Sequence, residues 1–456
     1  MKCPCWFAFV WLFIAMLAPS ASAQGKRPNV LFLVTDDQRA DTIAALGNGV
    51  IKTPNLDKLV QRGFVFRNAY CMGSTVGAVC SPSRHMLLSG KALYHYKAKD
   101  KTGTMGEVMR MLGYYSFLIS KRGNTATAYH AAFDISGYLE DNKERTSGHH
   151  GRTAADKTIE FLKKTWKKDQ PFFAYVGFEG PHDPRVAAPE WINLYDRAKI
   201  PLPKNYMPFH PFDNGDLKIR DEQLAPWPRT EEVVRKHLHD YYSCISSIDH
   251  HIGRLLAVLQ EMGELENTII IFTSDHGLAI GSHGLFGKQN LYEHSMKAPL
   301  IFAGPGIPKG QSDAFVYLFD IFPTTVELVG GKNAAGLDGK SLVPILRGKQ
   351  QTVRDTLFLA YKDEQRAVRQ GDWKLIRYPK VNFTQLFNLR QDPDELKNLA
   401  DNPAHAAKVK EMREIMVQQQ RVYHDPSPLT VDTPRPAKAD ESFFKDAKGK
   451  KKKKEP

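Results

Sequence analysis

The chain is poor in cysteine, and outside its first residues it lacks any long hydrophobic run. Five cysteines occur in 456 residues, and two of them, Cys3 and Cys5, lie in the opening segment. Cys71, Cys80 and Cys244 remain, an odd and low number that gives no disulfide framework. Their spacings match no zinc site, so metal binding through sulfur is not expected. No internal repeat is present. No nucleic-acid motif accompanies the basic charge, so nucleic acid is not the expected partner. No stretch after the opening segment reaches the length of a membrane span.

The opening segment itself reads as a leader. Lys2 supplies a positive charge, residues 6–17 are apolar, and Ala21-Ser22-Ala23 fits a small-x-small cleavage site. Cleavage after Ala23 and export to the periplasm or exterior are expected, with no membrane span thereafter. No Cys follows that site, which argues against a lipid anchor. At this length the chain can bury a large core, with one big domain and a smaller one. Its 42% hydrophobic and 25% charged residues are ordinary for a globular protein. The formal net charge is +13, part of it in a tail that ends in five lysines, Lys450 to Lys454. A basic exported protein suits polyanionic partners such as sulfated glycans.

Five apolar runs read as buried strands, at 29–35, 114–120, 172–178, 268–273 and 300–303. Helical patterns fall between them, at 104–112, 153–167 and 231–262. This alternation predicts an α/β fold with a large, mostly parallel central sheet flanked by helices. Such sheets bind ligands beyond the carboxyl ends of their strands. Here those ends carry Asp36-Asp37, Lys121, Pro181-His182 and Asp275-His276-Gly277. The stretch 201–229, rich in Pro, Asn, Asp and aromatics, reads as a long ordered loop that shapes a site. After Gly348 short strands at 356–361, 365–370, 373–378 and 386–389 precede a helix at 403–420. They predict a small C-terminal antiparallel sheet with a helix. The expected organisation is a signal peptide over 1–23, a catalytic domain over 24–348, an α+β subdomain over 349–425 and a disordered basic tail over 426–456.

Adjacent carboxylates such as Asp36 and Asp37 repel unless a cation or a proton relieves them, and a hard divalent metal does so economically. Asp275-His276 is a second candidate pair; a capping Asp with a turn Gly is the plainer reading of that sequence. Pro82 suits the first turn of a helix starting near Ser81, which places Cys80 at a positive helix N-terminus. Arg84, one turn on, can share a face with Cys80.

The run Ala78-Val79-Cys80-Ser81-Pro82-Ser83-Arg84-His85-Met86-Leu87-Leu88-Ser89-Gly90-Lys91 resembles the signature of the type I sulfatases, within the alkaline-phosphatase-like superfamily. The resemblance implies conversion of Cys80 to Cα-formylglycine by a maturation enzyme, the hydrated aldehyde being the nucleophile. It implies one calcium ion held by Asp36, Asp37, the modified Cys80, Asp275 and His276. Arg84, Lys121 and Lys288 match residues that neutralise the sulfuryl group, and His182 matches the family's Pro-His turn, whose His can protonate the leaving oxygen. By the resemblance Lys121, His182 and Lys288 serve both binding and catalysis, the His182 counterpart contacting the sulfate. Arg185 is a further candidate for substrate contact. His283, Glu293 and His294 organise the site. The sequence departs from the family after Lys121, where Ser120-Lys121-Arg122-Gly123-Asn124 lacks the usual His two positions on; His130 is the candidate substitute. The histidines 237, 239, 250 and 251 fall in a helical pattern and read as structural. Asn382-Phe383-Thr384 fits a glycosylation sequon and reads as incidental.

The expected activity is hydrolysis of a sulfate ester, of a sulfated carbohydrate or an aryl sulfate. The competing readings are a phosphoester or phosphonate monoester hydrolase of the same superfamily, and a non-catalytic polyanion-binding protein.

Overall fold

The computed structural model describes Met1 and residues 27–140 and 143–439. The leader and the last seventeen residues of the basic tail lie outside the described residues. Among the described residues fourteen strands occur, in chain order. They are β1 (Asn29–Thr35), β2 (Phe64–Tyr70), β3 (Gly73–Ser74), β4 (Tyr115–Lys121), β5 (Ile135–Leu139), β6 (Phe172–Gly177) and β7 (Thr268–Ser274). Then follow β8 (Lys297–Ala298), β9 (Leu300–Ala303), β10 (Gly310–Tyr317), β11 (Thr356–Tyr361), β12 (Gln365–Gln370), β13 (Trp373–Tyr378) and β14 (Phe383–Asn388).

The main sheet runs β10-β2-β9-β7-β1-β6-β4-β5, with β8 paired to β2. Its pairs are parallel except those made by β8 and β9. β1 is central, and all seven of its residues are buried. A strand covered on both faces reads as a continuous apolar run. Val30, Phe32 and Val34 pack into one core, and Leu31 and Leu33 into another on the opposite face. The second core is closed by the helix Glu231–Glu261, which buries Ile248, Ile252, Leu255 and Leu259. Thr230 caps that helix by accepting the Val233 N–H at 3.3 Å, with Glu231 and Glu232 in the first turn.

The small sheet runs β14-β13-β12-β11-β3. Its first four strands are antiparallel, and the helix Ala406–Tyr423 packs on them. The short strand β3 joins it in parallel fashion, Gly73 and Ser74 pairing with Ala360 and Tyr361. This joint requires glycine, because a Cβ at Gly73, where φ is +108°, would lie 1.9 Å from the Ala360 carbonyl oxygen. The segment leading to Cys80 is thereby tied to the C-terminal sheet.

Several boundaries differ from the sequence reading. The strand expected at 114–120 ends one residue later, so Lys121 closes the strand instead of following it. The helix expected over 153–167 is α-helical only over Arg152–Glu160 and continues as a π-turn over Phe161–Thr165. β14 starts at Phe383, three residues before the apolar run, because its first residues are half-buried on the sheet edge. The helix near Ser81 starts at Cys80. Tail residues up to 439 lie against the body: the Leu429 carbonyl accepts from Arg377, the Val431 carbonyl from Asn382, and the Ala437 carbonyl from the Asp213 N–H.

Candidate active site

Four neighbouring strands, β7, β1, β6 and β4, deliver their carboxyl ends to one edge of the main sheet. Asp36 and Asp37 follow β1, Asp275 and His276 follow β7, the turn to His182 follows β6, and Lys121 closes β4. The helix Cys80–Ser89 ends its approach there, with Cys80 in its first turn.

Cys80 is 5% exposed. Its Sγ lies 3.2 Å from Lys288 Nζ, 3.2 Å from His276 Nε2 and 3.5 Å from Asp37 Oδ1. Burial pushes its thiol well above the usual range, Asp36, Asp37 and Asp275 add to this, and Lys288 opposes them. A thiol in that field stays protonated at neutral pH and is a weak nucleophile. Lys288 Nζ donates to both oxygens of Asp37, at 2.8 and 3.1 Å, and is 3.7 Å from Asp221. Burial would lower its pKa, but Asp37, Cys80 and Asp221 raise it well above normal, so it remains a cation.

Asp37 adopts φ +72°, uncommon for a residue with a side chain. Its backbone N–H donates to Asp275 Oδ1 at 3.0 Å, and its carbonyl accepts from the Tyr241 hydroxyl at 2.6 Å. Asp36 Oδ2 accepts from Lys121 Nζ at 3.1 Å and from Asn124 Nδ2 at 2.7 Å, while its Oδ1 is buried without a hydrogen-bond partner. Burial would raise the Asp36 carboxyl, yet Lys121, His182, Arg84 and Lys288 hold it well below the usual carboxylate range.

His182 Nδ1 is 2.7 Å from the Asp183 carbonyl and 3.0 Å from Arg145 Nη1. Burial, then Lys288, lowers its pKa, while Asp37 and Asp36 act the other way. Arg220, from the 201–229 excursion, pairs with the carboxylates of Asp183 and Asp221. The excursion is anchored below Lys288: buried Glu222 accepts the Phe286 and Gly287 N–H groups and pairs with Arg229 at 2.8 Å.

Arg84, one turn after Cys80, is held by hydrogen bonds of its own. It is fully buried and shares the edge with Cys80, but Nε donates to Asp275 at 3.1 Å, Nη2 to the Thr35 carbonyl and Nη1 to the Tyr175 hydroxyl. None of these bonds goes to the Cys80 thiol. His130 is turned away. Its Nε2 bonds Ser120 Oγ at 3.1 Å and its ring stacks on Tyr138 at 3.9 Å. Arg185 donates from Nε to the Pro181 carbonyl and lies 5.4 Å from the Tyr241 ring. Glu293 belongs to another buried network, with Tyr70, Arg369 and Lys374. His283 Nε2 bonds the Glu395 carbonyl, and the His294 carbonyl accepts the Leu278 N–H behind the Asp275 turn. The sequence reading missed Asn124, Arg145, Asp221 and Glu222. Asp221 and Glu222 sit in the irregular excursion, where spacing carries no signal. Asn124 stood in the open corner after Lys121 and could have been found there.

The donor set fits a hard cation. One ligand atom from each of Asp36, Asp37, Cys80 and His182 lies within 4.8 Å of the others, and the same holds for Cys80, Asp275 and His276. The bare Asp36 Oδ1 is a buried carboxylate oxygen for which protein alone supplies no partner.

The fold is of the alkaline-phosphatase-like class. A solved structure described as a complex with D-glucosamine-2-N,6-O-disulfate superposes with a TM-score of 0.74 at 22% identity, covering 88% of this chain and 99% of that one. The phosphonate monoester hydrolase of Agrobacterium radiobacter gives 0.73 at 23%, covering 87% and 96%. The family model described as Sulfatase matches residues 28–331, and that described as N-sulphoglucosamine sulphohydrolase, C-terminal, matches residues 281–422. The chain therefore belongs to the sulfatase family and is a sulfuric ester hydrolase. An N-acetylglucosamine-6-O-sulfatase of Bacteroides thetaiotaomicron is 26% identical over 92% of this chain and 91% of its own length. A sulfatase of Formosa agariphila is 29% identical over 86% of each.

Proposed function

We propose that the chain is an exported sulfatase acting on a sulfated carbohydrate, with a formylglycine made from Cys80 and one calcium ion. The observation that carries this is Cys80 itself. It sits at a helix start, in contact with Lys288, His276 and Asp37, in a field where an unmodified thiol is a poor nucleophile. The carbohydrate substrate is supported by the basic charge and by relatives whose names specify sulfated glucosamines. The leader is supported by its residue pattern alone. On this reading the chain comprises a leader over 1–23, a catalytic unit over 24–348, a subdomain over 349–425 and a basic tail over 426–456.

Asp36, Asp37, Asp275, His276 and the modified Cys80 would hold the cation, with Cys80 Sγ standing here for a hydroxyl oxygen of the hydrated aldehyde. When bound, the two groups supply an oxygen nucleophile of lowered pKa and a positive charge for the sulfuryl oxygens. The chain's own residues do the rest. Lys288 and Lys121 bring fixed positive charge against the sulfuryl group. Arg84, which also holds the Asp275 carboxylate, is the third cation set against the sulfuryl group. His182, gripped at Nδ1, turns Nε2 toward the leaving oxygen and delivers a proton there. An arriving sulfate adds negative charge beside the ring and favours its protonated form. Arg185 and the 201–229 excursion would meet the sugar.

Screening sulfated mono- and oligosaccharides against a sulfate, a phosphate and a phosphonate ester of one phenol tests the reading. Sulfate release from a sugar, lost in Cys80→Ala, supports it. A preference for the phosphonate ester would assign the chain to the other branch of the superfamily, and no turnover of any ester would leave a polyanion binder.

A further inference from the structure

Asp36 is fixed through one oxygen only. Oδ2 takes both hydrogen bonds, from Asn124 Nδ2 at 2.7 Å and Lys121 Nζ at 3.1 Å, and Oδ1 takes none although it is buried. Two donors on one oxygen set the plane of the carboxylate, so the bare oxygen has a fixed direction. Asn124 is 6% exposed, which makes its amide a built partner and not a passing surface contact.

The loop that carries Asn124 is tied to the helix that carries Cys80. The Asn124 N–H donates to the Lys121 carbonyl at 3.3 Å, and the Ala126 N–H donates to His85 Nε2 at 2.9 Å. His85 follows Arg84 on the helix Cys80–Ser89. Burial lowers the His85 pKa to about 4, so its Nε2 keeps the lone pair that the Ala126 N–H needs. One helix thus positions Cys80 directly and Asp36 through Ala126 and Asn124.

We infer that Asn124 is a positioning residue for the bound cation, aiming Asp36 Oδ1 at it. The inference rests on the metal reading of the site. An amide suits this role because it donates in a fixed direction and adds no charge. A lysine alone offers a flexible stem and rotatable donors. Removing an outer partner of a metal ligand commonly weakens metal binding by about 10–100-fold. Asn124 fills the corner where the sequence lacks the family's His, while His130 faces Ser120 and Tyr138.

The test is calorimetric titration with calcium of the chelator-stripped full chain, Asn124→Ala, Asn124→Asp and His130→Ala, together with melting temperatures in chelator. Asn124→Ala is expected to weaken calcium by about 10–100-fold while melting in chelator like the parent. Asn124→Asp, the same shape with its donor gone and a second carboxylate beside Asp36, is expected to weaken it further. His130→Ala is expected to bind as the parent does. Equal affinity in parent and Asn124→Ala overturns the inference and leaves the metal reading standing. Should Asn124→Ala lose its fold in chelator, parent-like affinity in Asn124→Asp overturns it. A folded parent that binds no calcium removes both.

Discussion

Cys80 is surrounded by groups that work against its own ionisation, and this makes its chemistry testable without any substrate. Burial, Asp36, Asp37 and Asp275 together outweigh the adjacent Lys288. In protein made where no maturation occurs, alkylation of Cys80 at neutral pH should therefore be much slower than that of a free cysteine, and it should accelerate only at alkaline pH. Rapid labelling near neutrality would contradict the field described here. Glu144 offers a second test. Burial raises its carboxyl to about 8, with Glu179 adding to the effect and the Thr153 N–H opposing it. The folded chain keeps this proton between about 4.5, the unfolded value, and about 8. In that window the unfolded state binds fewer protons, so stability falls as pH rises. Glu144→Gln should remove that part of the fall: the denaturation midpoints of parent and variant converge near pH 4 and separate by pH 8, with the variant the more stable. Asn124 was half-legible from sequence, by its place and not by its type. Lys121 matches a motif, whereas an amide three residues on belongs to none, and only the empty place after Lys121 draws attention to it.

At the scale of elements, the site depends on close approaches that the strands permit. A Cβ at Gly177, near the end of β6, would stand 2.8 Å from Arg84 Nη1. Gly177→Ala should push the Arg84 guanidinium away from Tyr175 and strain its pair with Asp275, lowering kcat by about 10-fold or more and the melting temperature as well, because the pair is buried. A fully active variant would show that the Arg84–Asp275 pair is dispensable. The long helix Glu231–Glu261 braces Asp37 through Tyr241, and its start depends on Thr230. Thr230→Ala should cost about 1 kcal/mol in denaturant unfolding and leave turnover intact. The elements were largely legible because strands buried on both faces write continuous apolar runs, as 29–35 and 268–273 do. β2 and β10 were not: Arg67 interrupts the first, and the second begins with four residues that are not buried. The two-residue strand β3, which joins the sheets, is too short to carry any periodicity.

At the scale of the molecule, sheet order brings Asp36, Lys121, His182 and Asp275 together from positions far apart in the chain. Their meeting was legible as the edge of a parallel sheet; their detailed pairing was not, because buried charges choose among several near partners. Arg84, which shares the edge with Cys80, pairs with Asp275, a choice that spacing does not reveal. The net charge of +13 bears on substrate capture. Raising ionic strength from about 0.01 to about 0.15 M shortens the screening length from about 30 to about 8 Å. It should lower kcat/KM for a sulfated oligosaccharide more than for a small aryl sulfate, and equal sensitivity would argue against long-range attraction of a polyanion. The central claim concerns Cys80, and peptide mass spectrometry of protein from its native host tests it most directly. The account predicts that the peptide containing Cys80 carries an aldehyde in place of the thiol; an intact, alkylatable thiol in active protein would contradict it.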